Sequence, residues 1–113
     1  MVYLVTAVIK PFKLEEVKDA LRGSGILGMT VSEVQGYGRQ GGKNETWRGA
    51  EYTLAFVPKV KVEVLVEDDE TERIIDLIAG LARTGSIGDG KIWATEVARV
   101  VRVRTGEVGA EAL

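Results

Sequence analysis

Two glycine-rich stretches and a set of scattered cations hold most of the chemical potential of this chain. Residues 85–91, GSIGDGK, match the front of a phosphate-binding loop. In such a loop successive backbone N–H groups converge on an anion, and Lys91 adds positive charge beside them. Ile92 stands where the full motif needs a magnesium-binding hydroxyl, and a strand-like run follows in place of a helix, so the pattern departs from a true P-loop. A glycine-rich turn joining two elements is the plainer reading. Residues 36–41, GYGRQG, fit G-x-G-x-x-G but lead into a polar stretch. No helix N-terminus is then available for a pyrophosphate, and the dinucleotide-binding reading fails. Arg102 and Arg104 lie two apart in a run that reads as strand, which puts both guanidinium groups on one face. Like charges so placed repel unless an anion lies between them. With Lys91, Arg39, and Lys59 and Lys61 on the strand expected to adjoin, they point to a polyphosphate site. A solvated basic edge that deters strand pairing is the alternative.

Composition narrows the chemistry further. The 113 residues contain no His and no Cys, which removes imidazole and thiol nucleophiles, the usual zinc sites and disulfides. Fifteen Lys and Arg against seventeen Asp and Glu give a formal charge of −2, so total charge recruits neither nucleic acid nor an anionic membrane. A nucleotide hydrolase would need positioned carboxylates. Asp89 and Glu63 are the candidates, with simpler roles as a turn former and an exposed strand residue. The seven aromatic residues lack the basic-aromatic signature of an RNA-binding sheet. The apolar start at residues 2–9 is too short to span a bilayer and lacks signal-peptide features, so a cytoplasmic protein is expected.

These residues need positioning, and the hydrophobic pattern predicts how. Residues 2–9 are β-branched and stop at Lys10 and Pro11, which predicts a strand ended by proline. Leu14, Val17, Ala20 and Leu21 recur at helical steps over residues 13–23. Residues 29–37 return to strand composition, and residues 38–51 are polar and glycine-rich, a loop long enough to be functional. A short strand over residues 52–57, a bend at Pro58 and an alternating strand carrying Val60, Val62, Val64 and Val66 follow. Asp69 and Glu72 have capping-box spacing ahead of a helix that runs to about Arg83. The acidic run at residues 67–72 reads as a docking patch or, more simply, as carboxylates favoured by the helix dipole. Residues 91–105 read as one long strand. The order βαββαβ, reinforced by similar helix-to-strand passages at residues 24–34 and 84–97, predicts a single α+β domain over residues 1–113, a ferredoxin-like sandwich of four antiparallel strands with both helices on one face. The strands are too apolar to leave the other face open, which predicts an oligomer that buries it.

With these motifs assembled, the chain resembles the PII nitrogen-regulatory signal-transduction family over nearly its whole length. The matching stretches are IKPFKL (9–14), GYGRQ (36–40), RGAEY (48–52), PKVK (58–61), TGSIGDGKIW (84–93) and VARVVRVRTGE (97–107). The resemblance implies a homotrimer that binds ATP or ADP in clefts between neighbouring subunits. The implied nucleotide-binding residues are Gly38, Arg39, Gln40, Gly88, Asp89, Gly90 and Lys91 on one side, with Arg102 and Arg104 from the adjoining subunit. Glu63 and Val64 are implied near the adenine, and Thr30 near the base or ribose. A second ligand, 2-oxoglutarate, is implied together with Mg2+ and ATP, with Gln40 as metal ligand and Gln40, Gly41, Gly42 and Lys59 as its contacts.

The long loop, about residues 38–52, would then be the arm that engages partners and responds to the ligands at its base. Tyr52 corresponds to a tyrosine that is uridylylated or adenylylated in many relatives. Trp47 stands where the family often has Tyr, and Ala50 replaces a serine that is phosphorylated in cyanobacterial relatives. The implied function is a non-enzymatic signal transducer acting on an ammonium channel, a nucleotidylyltransferase or nitrogen-assimilation enzymes. It would bind no nucleic acid and would meet a membrane only through a channel. A slow nucleotide hydrolase in the same cleft is the alternative.

Overall fold

The computed structural model describes residues 1–37 and 55–113. The β-branched N-terminal run forms β1 (Val2–Ile9), and the residue after it, Lys10, is extended ahead of a short 3-10 turn at Pro11–Lys13. The helical period of Leu14, Val17 and Leu21 becomes α1 (Leu14–Gly23). Next come β2 (Thr30–Gly36), β3 (Val57–Glu67), α2 (Thr71–Ala82) and β4 (Gly90–Val97). The four strands form one sheet in the order β2-β3-β1-β4, and every pairing is antiparallel. Both helices supply residues to one core on one face of the sheet, as the βαββαβ pattern predicts.

The core follows from strand alternation. Val60, Val62 and Val64 of β3 lie opposite Ile9, Ala7 and Val5 of β1, and all six are buried. Val17 and Leu21 of α1 and Ile74, Ile78 and Ala82 of α2 cover them. The intervening positions form a second, open face. There Leu4 is paired with Leu65 and Thr95, Thr6 with Glu63 and Trp93, and Val8 with Lys61 and Lys91. Leu65 and Trp93 are exposed on it.

Four local expectations are corrected. The long strand over residues 91–105 ends at Val97, because Val97 pairs with Val2 and β1 begins there, leaving no partner beyond. The chain turns instead, with an isolated bridge between Val101 and Val108 and a bond from the Gly106 N–H to the Arg102 carbonyl. Pro58 is no bend but lies inside β3 opposite Gln35, tolerated because β1 has already ended opposite Val60. Asp69 does not cap α2. Residues Asp68–Glu70 form a 3-10 turn that runs straight into the helix, and no side chain caps it. The carboxylates still sit in the first turn, where the dipole favours them. Finally, β3 does not adjoin β4, since β1 lies between them.

Leu21 is fully buried between helix and sheet, whereas Glu15 is exposed on the far side of the same helix. Leu21→Ala is expected to cost about 2–5 kcal/mol in urea unfolding. Glu15→Ala should change stability by no more than about 0.5 kcal/mol.

Candidate functional site

The glycine loop between α2 and β4 is held at both ends. Its Asp89 carboxylate turns back into the loop, accepting from the Thr84 N–H at 2.7 Å and the Gly85 N–H at 2.9 Å through Oδ2, and from the Thr84 hydroxyl at 2.5 Å through Oδ1. Lys10, the residue that follows β1, lies 3.1 Å from the same Oδ1. The Thr84 hydroxyl, then the Thr84 and Gly85 amides and Lys10, hold the Asp89 carboxyl far below the usual carboxylate range. On the other side Lys59 Nζ donates to the Gly88 carbonyl at 2.5 Å.

Lys59 is the unusual group. It is 7% exposed, buried where β3 runs past the end of β1, and lies opposite Val34 near the last residues of β2. Burial, then the charge of Lys10, lowers its pKa, while Asp89 opposes the shift. An ammonium that is desolvated and bonded to a neutral carbonyl favours an incoming anion. Gly88 and Gly90 adopt φ of +96° and +100°, where only glycine is unstrained. A Cβ on Gly90 would stand 1.8 Å from the Val8 carbonyl oxygen. Lys91 follows on the open face, paired with Val8.

A second group gathers elsewhere on the open face. Thr30 lies opposite Glu63, and Glu63 accepts a bond from the Thr6 hydroxyl at 3.2 Å. A cavity of about 690 Å³ is lined by Thr30, Glu63, Leu4 and Leu65 together with Ala112 and Leu113 of the C-terminal turn. Arg102 fastens that turn. It donates to the Ala112 and Leu113 carbonyls at 3.3 and 2.8 Å and pairs with Glu107 at 2.8 Å. Arg104 is exposed in the turn at residues 103–105.

The expected residues are therefore divided. Lys59, Gly88, Gly90 and Lys91 meet around the end of β1, and Thr30, Glu63 and Arg102 meet around the C-terminal turn. Lys59 and Glu63 are four residues apart on β3, roughly 13 Å along the strand. Three expectations change. Arg102 and Arg104 do not share a strand face, because β4 has ended, and their mutual repulsion is relieved for Arg102 by Glu107 and two carbonyls. Val64 is 2% exposed with its side chain in the core, so that side chain does not face a ligand. The Asp89 side chain is occupied within its own loop. Gly38, Arg39, Gln40, Gly41, Gly42 and Tyr52, with Trp47 and Ala50, lie outside the described residues. Lys10 and Thr84 are the residues that sequence reasoning missed. The signal was a Thr at the mouth of a glycine loop with Asp five residues on.

A family model described as nitrogen regulatory protein P-II matches residues 2–107. This chain belongs to the P-II family. It is 57% identical to the nitrogen regulatory protein P-II of Microchaete diplosiphon over 109 residues, 96% of this chain and 97% of that one. It is 54% identical to the nitrogen regulatory protein GlnK of Escherichia coli strain K12 over 110 residues, 97% and 98% of the two chains. A crystal structure of the Arabidopsis thaliana PII bound to citrate superposes with a TM-score of 0.81 at 42% identity, covering 99% of this chain and 92% of that one. Membership in this nitrogen-regulatory, signal-transduction family agrees with the ferredoxin-like topology. Among the described residues no helix is long and apolar enough to cross a membrane.

Two outcomes check the loop of this P-II chain. Gly90→Ala should destabilise by about 2 kcal/mol or more, from the left-handed φ and the collision with Val8, read as a lower urea midpoint. The depressed Asp89 pKa contributes stability that is complete above the ordinary carboxylate value of about 4 and is lost as pH falls through the folded-state value. The stability gap between the unsubstituted protein and Asp89→Asn should therefore be constant from about pH 6 upward and shrink on acidification below about pH 4.

Proposed function

We propose that this P-II chain is a non-enzymatic nitrogen-signal transducer that works as a homotrimer in the cytoplasm. In this reading it binds ATP or ADP in clefts between neighbouring copies and takes 2-oxoglutarate together with Mg-ATP. The observation that carries it is the buried Lys59 ammonium on the Gly88 carbonyl, an anion site at the edge of a glycine loop. The separation of the two residue groups supports a shared cleft. One copy offers Gly88, Asp89, Gly90 and Lys91 through the loop backbone and the Lys91 charge, and a neighbouring copy offers Thr30, Glu63, Val64 backbone, Arg102 and Arg104. Three Arg102 donors are already engaged, which leaves others for a phosphate. The apolar residues Leu65 and Trp93 on the open face favour burial against other copies.

Lys59 would take a ligand carboxylate of 2-oxoglutarate, a role in keeping with the citrate bound by the Arabidopsis relative. Among the described residues there is no cluster of three or more carboxylates that could cage a metal. Magnesium would accordingly be carried by the nucleotide phosphates, with Gln40 as its protein ligand. Gly38, Arg39, Gln40, Gly41 and Gly42 would complete the two ligand sites, and the arm over residues 38–52, with Tyr52 as its modifiable tyrosine, would engage an ammonium channel, a nucleotidylyltransferase or a nitrogen-assimilation enzyme. The hydrolase alternative is weakened because Asp89, one of its two candidate carboxylates, is occupied by Thr84, Gly85 and Lys10.

Calorimetry tests this directly. ATP should bind, 2-oxoglutarate should bind far better with Mg-ATP than without, and steady phosphate release should be absent. Lys59→Met removes a charge-assisted contact of about 1.5–3 kcal/mol and should weaken 2-oxoglutarate about 10- to 100-fold. Equal binding of 2-oxoglutarate with and without Mg-ATP, or no effect of Lys59→Met, sinks the reading.

A further inference from the structure

We propose that Lys10 and Thr84 are positioning residues for the glycine loop, which they hold through the Asp89 carboxylate in the conformation that receives a phosphate. The nucleotide as ligand rests on the function proposed above; the lock itself does not.

The Thr84 hydroxyl has one proton and two lone pairs. It donates its proton to Asp89 Oδ1, and it accepts from Lys10 Nζ at 3.1 Å and from the Ser86 N–H at 3.2 Å. Every bonding capacity of that oxygen is filled by a group that fixes the loop. The Asp89 carboxylate, five residues along, is met by four donors: two amides, this hydroxyl and the Lys10 ammonium. The Lys10 and Asp89 side chains are 19% and 23% exposed, so the pair is partly shielded from water. Lys10 is also the first residue after β1, and it ties a loop that leaves α2 to the frame of the sheet.

Neither Lys10 nor Thr84 has any bond to Gly88 or Gly90 among the described residues, and these are two of the loop's three glycines with left-handed φ, the third being Gly85 beside Thr84. The influence of Lys10 and Thr84 passes through Asp89, which lies between Gly88 and Gly90 and is covalently joined to both. With the Thr84 end closed by Asp89 and the Gly88 carbonyl held by Lys59, the amides between them are ordered before any ligand arrives. Ordering that is already present in the free protein does not have to be supplied by the binding free energy. Lys10 has a second effect, since its charge lies close enough to Lys59 to lower that ammonium's pKa. Removing Lys10 should therefore loosen the loop and also relax the constraint on Lys59, so its variants carry two signatures where those of Thr84 carry one.

The test uses the full chain with Thr84→Val, Thr84→Ser, Lys10→Met and Lys10→Arg, and Lys18→Met as a control on an exposed pair with Glu15. Hydrogen exchange of the Thr84 and Gly85 amides in the ligand-free protein reads the lock, and calorimetry with ATP reads its consequence. Thr84→Val and Lys10→Met should each speed loop exchange at least about tenfold and weaken ATP about tenfold, with global urea midpoints close to the parent. The Ser and Arg variants should restore both. The double variant should lose little more than either single one, because one network is being broken. Unchanged loop exchange in Thr84→Val overturns the proposal, as does ATP weakening in Thr84→Ser as large as in Thr84→Val. If the parent protein binds no ATP, the nucleotide reading falls while loop exchange still decides the lock. Should Lys10→Met fail to fold, the Thr84 pair decides alone.

Discussion

Strand β1 has to stop at Ile9, and the rest of the site depends on that ending. β1 is the inner strand that pairs with both β3 and β4, so its last residue faces Val60 on one side and Gly90 on the other. Had β1 run on, a backbone would fill the space that Lys59 now crosses to reach the Gly88 carbonyl. Pro11 ensures the stop by locking its own φ and removing a donor. Lys10, left at the edge, is thereby free to reach Asp89. One local restraint thus opens a notch in the sheet and places two lysines and a glycine loop around it.

The notch gathers charge in a way that total composition conceals. The chain has a formal charge of −2, yet Lys10 and Lys59 both reach one glycine loop, whose own carboxylate is paired with Lys10 and bonded by Thr84 and Gly85. Asp89 stabilises the loop and offsets part of the Lys10 field at Lys59, but does not cancel it. The cost of keeping an ammonium buried against a carbonyl is accepted at this point of the structure, and an anionic ligand would relieve it.

Much of the fold was legible because period and punctuation agreed at most elements. Alternating valines in β3 put one face in the core, and Leu14, Val17 and Leu21 aligned α1 with it. The failures in the strands share a cause. Residues 91–105 look like one strand by propensity, but a strand lasts only as long as its neighbour, and β1 begins at Val2. Pro58 looks like a bend, but its missing donor is harmless beyond the end of β1. The capping-box spacing at Asp69 and Glu72 was overruled by a 3-10 turn that satisfies the helix start through its backbone. The paired-arginine argument failed with the strand that carried it.

From the sequence alone came the α+β class, the order of elements, the glycine loop with its lysine, and, through six matching stretches, the family. These depend on patterns within a few residues of one another, which local sterics and hydrophobic spacing determine. Tertiary structure decided that Lys59 is buried on Gly88, that Asp89 faces inward to Thr84 and Lys10, and that Arg102 serves the C-terminal turn. Lys59 and Gly88 are 29 residues apart, and Lys10 and Thr84 are 74 apart. No periodicity links positions so distant; only the strand order β2-β3-β1-β4, with a short strand in its interior, brings them within hydrogen-bonding reach.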